Sequence, residues 1–338
     1  NDGDQDLYVT TTRAGNVLFR NLGNWKFKDV TAEAGLACIA HSQTTAFLDV
    51  DNDGYLDLFL ANSAKWTLDT FDEQSKYFTG PDDLFGLGKS PKEYNILYHN
   101  NRDGTFTDVT EAAGLRGQGW AGDVAVAAFD EDGRLDIYVT NMFGRGLLYQ
   151  NEGGGQFRDV TDGALGRTSW GGAGSRWFDL NNDGHLDLFV TDMHSDMWMP
   201  IDFDPVLIAE SEKYRHVTGL RADRDEGKKE EFFGDLLKIR YDQVVFGNAL
   251  FKNLGGGKFE EISGPANMET FWPWGIATGD FDNDGDEDVF IPSGMGFPFF
   301  YWRNYVLMNN GDETFTDQSR TVGVDPPTRG RFLEKKIG

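Results

Sequence analysis

One nine-residue string constrains this chain more than any other feature. Asp49-Val50-Asp51-Asn52-Asp53-Gly54-Tyr55-Leu56-Asp57 reads D-x-D-x-D-G-x-x-D. It recurs from Asp179 to Asp187 and from Asp280 to Asp288. Ala128 to Asp136 is a copy without the first acid, and the chain opens on the last six positions of another. Each copy runs into apolar residues such as Leu58-Phe59-Leu60, Leu188-Phe189-Val190 and Val289-Phe290-Ile291. Acids at positions 1, 3 and 5 of a tight turn converge on one centre, and glycine at position 6 permits the sharp bend. A carbonyl at position 7 and a carboxylate at position 9 complete an oxygen cage, which suits Ca²⁺ rather than zinc. An EF-hand shares the opening but needs Glu at position 12 and a helix on each side. Here position 12 is Leu60, Val190 or Ile291, so the loop joins two strands. A metal-free acidic turn is the plain alternative. Repetition argues against it, because clusters of unneutralised carboxylates repel.

The candidate ligands follow from position. They are Asp2, Asp4 and Asp6 in the first copy, and Asp49, Asp51, Asp53, Asp57 and the Tyr55 carbonyl in the second. The third copy offers Asp130, Asp132, Asp136 and the Arg134 carbonyl. The fourth offers Asp179, Asn181, Asp183, Asp187 and the His185 carbonyl, with Asn181 a neutral oxygen. The fifth offers Asp280, Asp282, Asp284, Asp286 and Asp288. The expected cofactor is Ca²⁺, at three intact sites, one weakened by Ala128 and one truncated at the start of the chain.

A second motif alternates with the first. Leu97-Tyr98-His99-Asn100 leads through a glycine turn to Phe106-Thr107-Asp108-Val109-Thr110, and similar pairs start at Leu18, Leu148, Leu250 and Leu307. Each pair reads as strand, hairpin turn, strand. The unit is therefore strand, acidic loop, strand, connection, strand, glycine turn, strand. That predicts an all-β fold: a β-propeller of four-stranded antiparallel blades with five repeats visible. The loop glycines at 3, 54, 133, 184 and 285 are 51, 79, 51 and 101 apart, so two blades carry insertions. These fall at 62–93 and 191–246, between second and third strands, with helix expected at 205–214 and 226–240. The whole of 1–338 reads as one propeller domain, incomplete at both ends and interior to a propeller of about seven or eight blades.

Strand alternation puts the acidic loops on one face and the insertions and inter-blade links on the other. The links carry His41, Trp120, Trp170, Trp272 and Trp274, and the second insertion carries His194 and Trp198. These are the candidate partner-face residues, with packing between blades as the competing role for each.

These residues resemble the FG-GAP/VCBS repeats of integrin-α-type propellers over nearly the whole chain. Phe106 to Leu115, Thr191 to Met197 and Trp272-Pro273-Trp274-Gly275 are similar to bacterial proteins related to cartilage acidic protein, which often carry a trailing ASPIC/UnbV domain. The resemblance implies calcium in the acidic loops and protein or glycan contacts on the opposite face. No ASPIC/UnbV or EGF-like segment lies in this sequence, so the functions of those tails do not carry over.

The net charge of −25 and the lack of a basic stripe exclude nucleic acid as a partner. No apolar run is long enough to span a membrane, and the single cysteine, Cys38, allows no intrachain disulfide. No signal peptide is present, but the start inside a repeat leaves upstream sequence expected. Extracellular calcium modules bind in the range of about 10⁻⁴–10⁻³ M, so the expected location is extracytoplasmic.

No H-E-x-x-H, C-x-x-C or G-x-S-x-G occurs. Gly117 to Gly122 matches G-x-G-x-x-G but precedes a strand, which fails the dinucleotide context. Gly88-Lys89-Ser90 lacks the earlier glycine of a phosphate loop. The leading expectation is a non-enzymatic, calcium-stabilised scaffold or complex subunit with a protein partner. A glycan-binding module is the alternative, and a calcium-assisted polysaccharide lyase ranks third.

Overall fold

The computed structural model describes residues 3–65, 67–68, 70–74, 77–78, 93–117, 119–193, 243–245, 247–296, 300–301 and 303–324. Asp2, His194, Trp198, both expected helices and most of each insertion lie outside the described residues.

Five antiparallel sheets follow one another along the chain as blades of a β-propeller. Blade 1 has strands Leu7–Val9, Val17–Asn21 and Phe27–Asp29. Blade 2 is built from Ser42–Leu48, Asp57–Asn62, Ile96–Asn100 and Phe106–Asp108. Blade 3 uses Ala121–Ala127, Asp136–Asn141, Leu147–Gly153 and Gln156–Asp159. Blade 4 uses Gly172–Phe178, Asp187–Asp192, Ala249–Asn253 and Phe259–Glu261, and blade 5 uses Ala277–Gly279, Asp288–Ile291, Tyr305–Asn309 and Phe315–Asp317. Strand order within each four-stranded blade is sequential.

The apolar run after each acidic loop becomes the second strand, buried on both faces in blades 2, 3 and 4. Its period-two side chains point alternately to the two neighbouring blades. Leu58 and Leu60 pack with Tyr8 and Leu18 of blade 1. Phe59 and Ala61 pack with Ile137 and Val139 of blade 3. Tyr138 faces the other way, against Leu188 and Val190 of blade 4, while Phe189 packs with Val289 and Ile291 of blade 5. The core is thus a series of inter-blade layers. A single blade would leave both faces bare, which is why such units fold only as a stack.

The rim is stitched as well. Asp108 Oδ1 accepts from the Thr110 backbone N–H at 3.0 Å, and Thr110 Oγ1 accepts from Leu97 N–H at 2.9 Å. This closes the D-V-T segment back onto the third strand. The next turn then receives the following blade: Phe157 N–H donates to the Ala113 carbonyl at 2.9 Å. Gly114 sits there at φ +77°, and a Cβ would meet the Phe157 carbonyl oxygen at 2.7 Å. Glycine is required at this turn for both reasons.

The described ends of the insertions are tied down. Ser63 N–H donates to the His41 carbonyl at 2.9 Å, and Glu93 N–H to the Ser63 carbonyl at 3.2 Å. Val244–Val245 pairs in parallel with Thr168–Ser169 in the link from blade 3 to blade 4. Asn62, Thr191 and Asp192, placed in the insertions by their sequence, belong instead to the second strands. Blade 5 has a further short hairpin, Met295–Gly296 with Phe300–Tyr301, at the same connection. Among the described residues no helix is long and apolar enough to cross a membrane.

Candidate metal centres

The acidic loop folds by hydrogen bonding to its own backbone. In the second copy, Asp49 Oδ1 accepts from Asp53 N–H at 3.0 Å and Oδ2 from Gly54 N–H at 2.8 Å. Asp53 Oδ1 accepts from Tyr55 N–H at 2.7 Å. Asp179 and Asp280 repeat the first arrangement. Positions 4 and 6 are both left-handed: Asn52 has φ +59° and Gly54 φ +86°, with Asn182/Gly184 and Asn283/Gly285 alike. Asparagine is among the non-glycine residues that tolerate this region best. The double reversal turns the carboxylates inward.

Ligand atoms of Asp49, Asp51 and Asp53 lie within 4.8 Å of one another, as do those of Asp280, Asp282 and Asp288. Asp51 Oδ1 is buried and has no hydrogen-bond partner. An inward-facing oxygen that no donor reaches is what a bound cation would satisfy, so the second loop fits a metal. The fifth loop is carboxylate-only, a donor set for a hard cation. Desolvation, with Asp284 and Asp288 nearby, holds Asp282 above the usual carboxylate range. A cation there would relieve that repulsion.

The third loop does not fit. Ala128 removes the first acid, the Arg134 guanidinium pairs with Asp132, and Gln150 donates to Asp130 Oδ2 at 2.5 Å. The Arg134 carbonyl was expected at a weakened site; its side chain, in addition, brings a positive charge onto Asp132 of the loop. In the fourth loop Asn181 Nδ2 donates to Glu313 Oε1 at 3.1 Å, and the His185 ring contacts Glu131 of the third loop. In the first loop Asp6 Oδ1 accepts from Asn21 N–H at 2.8 Å.

Position 9 has a second role that sequence reasoning missed. Asp57, Asp136, Asp187 and Asp288 are buried, and each accepts two backbone N–H bonds. One comes from loop position 2: Val50, Phe129, Leu180 or Phe281, at 2.8–3.1 Å. The other comes from the asparagine ending the third strand: Asn100, Asn151, Asn253 or Asn309, at 2.7–2.8 Å. In blades 3, 4 and 5 that asparagine then reaches into the preceding blade. Asn151 Nδ2 donates to Val50 O at 2.9 Å, Asn253 Nδ2 to Phe129 O at 2.9 Å and Asn309 Nδ2 to Leu180 O at 2.8 Å. Loop, third strand and neighbouring blade thus share one buried latch. Its sequence signal was the asparagine recurring at the end of every third strand. Burial pushes Asp136 up to about 7 and Asp187 up to about 6.

The candidate partner face divides by burial. His41 is 1 % exposed. Its Nδ1 lies 3.1 Å from Glu93 Oε1 and its Nε2 2.8 Å from Thr67 Oγ1, so it anchors the first insertion. Trp120 and Trp170 are buried on either side of Phe143, in edge contacts at 5.0 and 5.7 Å. Trp272 is buried too. Packing accounts for these four, and Trp274, 50 % exposed, is the described member open to a partner. Trp25, 96 % exposed at φ +60° on the tip of the blade 1 hairpin, was not anticipated. Its signal was a tryptophan where the hairpins of blades 3 and 4 carry glycine.

Inner strands of blades 2, 3 and 4, with the link into blade 5, line an open cleft of about 590 Å³ that includes Thr44, Asp123, Arg176 and Trp274. Register shifts at Ser42/Thr44, Ala121/Val124 and Gly172/Gly174 mark bulges in three of these strands. Burial raises the Asp123 carboxyl above its ordinary range, and it accepts from Ser175 N–H at 2.9 Å.

A family model described as FG-GAP-like repeat matches residues 1–60, 79–139, 129–190 and 235–291. Over 74 residues the chain is 39% identical to Cartilage acidic protein 1 of Homo sapiens, a stretch covering 20% of this chain and 11% of that protein. Among solved structures it is similar to an Agrocybe aegerita lectin recognising non-reducing terminal N-acetylglucosamine, with TM-score 0.41 and 16% identity over 92% of this chain and 64% of the lectin. It is also similar to the V. cholerae biofilm matrix protein Bap1, with TM-score 0.38 and 14% identity over 92% of this chain and 34% of the other. For the rhamnogalacturonan lyase YesW the TM-score is 0.39, with 13% identity over 92% and 45%. The chain thus spans less than two thirds of the length of each of these relatives.

Proposed function

The chain belongs to the FG-GAP-like repeat family, and on that premise we propose that it is a calcium-stabilised, extracytoplasmic β-propeller that works without catalysis, as a scaffold for a protein partner. The acidic loops are its structural end, where cation and latch hold neighbouring blades together. The partner docks on the opposite face. The observation that carries this reading is the set of large apolar side chains exposed there, on links and insertions that the repeat itself does not need: Ile39, Leu68, Phe71, Tyr94 and Trp274. Apolar side chains exposed on segments outside the repeat offer contact area to a partner. Isolation from the native source in Ca²⁺ should recover a stoichiometric protein partner. The pair Ile39→Ser and Trp274→Ala should release it, while Phe281→Ser on the loop face should not. A partner lost only with the loop-face variant, or a lone chain under gentle isolation, would sink the proposal.

The axial cleft supports a second reading, a glycan-binding module. An exposed indole with carboxylate, guanidinium and hydroxyl groups nearby offers a stacking face and hydrogen bonds to a sugar. A glycan array without hits in Ca²⁺ would remove this reading and leave the first intact.

A further inference from the structure

We propose that the second blade's loop is a mixed nitrogen–oxygen site that prefers a borderline first-row dication of the Zn²⁺ or Co²⁺ class to Ca²⁺, with His99 as its nitrogen ligand. The inference rests on the reading that the acidic loops hold cations, and it separates one loop from the others. The residue before each latch asparagine is Arg20, His99, Gln150, Lys252 or Met308, so blade 2 alone places an imidazole at this position.

His99 Nδ1 lies 3.0 Å from Asp57 Oδ1. Ligand atoms of Asp51, Asp57 and His99 fall within 4.8 Å of one another, and Asp51 also belongs to the cluster with Asp49 and Asp53. A pair of ligand atoms this close can share one dication with bonds of about 2.1 Å in place of a proton. Asp51 Oδ1 is the acceptor left without a hydrogen bond.

The rest of the loop disfavours Ca²⁺. Arg102 donates from Nε to Asp53 Oδ2 at 2.7 Å, which diverts the position 5 carboxylate. Ca²⁺ requires six to eight oxygens, whereas Zn²⁺ is satisfied by about four ligands including imidazole. An imidazole nitrogen is a good ligand for zinc and cobalt and has no place in an all-oxygen shell. The fifth loop is the contrast, with Met308 at the matching position and a carboxylate-only cluster.

The test is Co²⁺ titration of the metal-stripped full chain in excess Ca²⁺, read by visible d–d absorption and stoichiometry. One equivalent should bind with a coloured spectrum, and Zn²⁺ but not Ca²⁺ should displace it one for one. His99→Gln, which installs the residue blade 3 already uses there, should abolish the band and weaken Co²⁺ binding at least about tenfold. Asp282→Asn should lower Ca²⁺ stoichiometry and leave the Co²⁺ band intact. A band unchanged by His99→Gln, or ready displacement of wild-type Co²⁺ by Ca²⁺, would overturn the inference. Ca²⁺ binding without any Co²⁺ binding would also overturn it while sparing the calcium reading. Loss of both metals would end that reading too.

Discussion

Asn253→Ala should be among the most damaging single substitutions in this chain, although Asn253 touches no candidate ligand of its own blade except Asp187. Its amide donates to Phe129 O in blade 3 at 2.9 Å and to Leu186 O at 3.1 Å, and its side-chain oxygen accepts from Gly255 N–H at 3.0 Å. Asn253 is buried, and Phe129 lies fully inside the layer between blades 3 and 4. Truncation leaves two carbonyls and one N–H without these partners. A buried polar group that loses its partner costs about 1–3 kcal/mol. If water reaches one of the three, the total is roughly 2–6 kcal/mol, a large share of a typical 5–15. Asn100 is the internal control, because its amide donates within its own blade, to Leu56 O at 2.9 Å. Asn100→Ala should cost less by about one buried bond. Urea unfolding with Ca²⁺ held constant reads both variants from the shift in midpoint at unchanged slope. Equal losses for the two, or a loss below about 1 kcal/mol for Asn253→Ala, would refute the latch as an inter-blade fastening.

Calcium removal should lower the melting temperature. At about 1 mM Ca²⁺ and a Kd near 0.1 mM, each occupied loop adds roughly 1.4 kcal/mol by linkage. Asp284→Ala should remove one such share of the Ca²⁺-dependent shift in calorimetry. Asp132→Ala should leave that shift unchanged, because Arg134 already occupies its carboxylate. In EGTA, stability should fall between about pH 4 and 7. Asp136 ionises near 3.9 when unfolded but near 7 when folded. The folded state therefore holds the extra proton across that window, and its unfavourable share grows as pH rises. A metal-free chain that melts higher at pH 8 than at pH 5 would contradict this account.

Local chemistry made the repeat legible. The nine-residue spacing dictated a turn whose acids converge, because glycine at position 6 and three alternating carboxylates allow little else. The apolar run Leu58-Phe59-Leu60 after the loop foretold a strand, and the recurrence of the unit implied a stack. The weakness of the third loop was visible in Ala128.

What only the tertiary structure decided concerns which groups meet across blades. Asn253 looks like an ordinary turn residue until its amide is seen on Phe129, more than a hundred positions earlier. Arg134 draws notice in the sequence for its position 7 carbonyl, and only the folded loop shows its guanidinium on Asp132. His41, Trp120, Trp170 and Trp272 fit a partner-facing ring by position along the chain, yet packing buries them and leaves Trp274 outside. A repeat is encoded over short range and can be read from spacing. Burial and ion pairing depend on contacts between blades, which no local pattern carries.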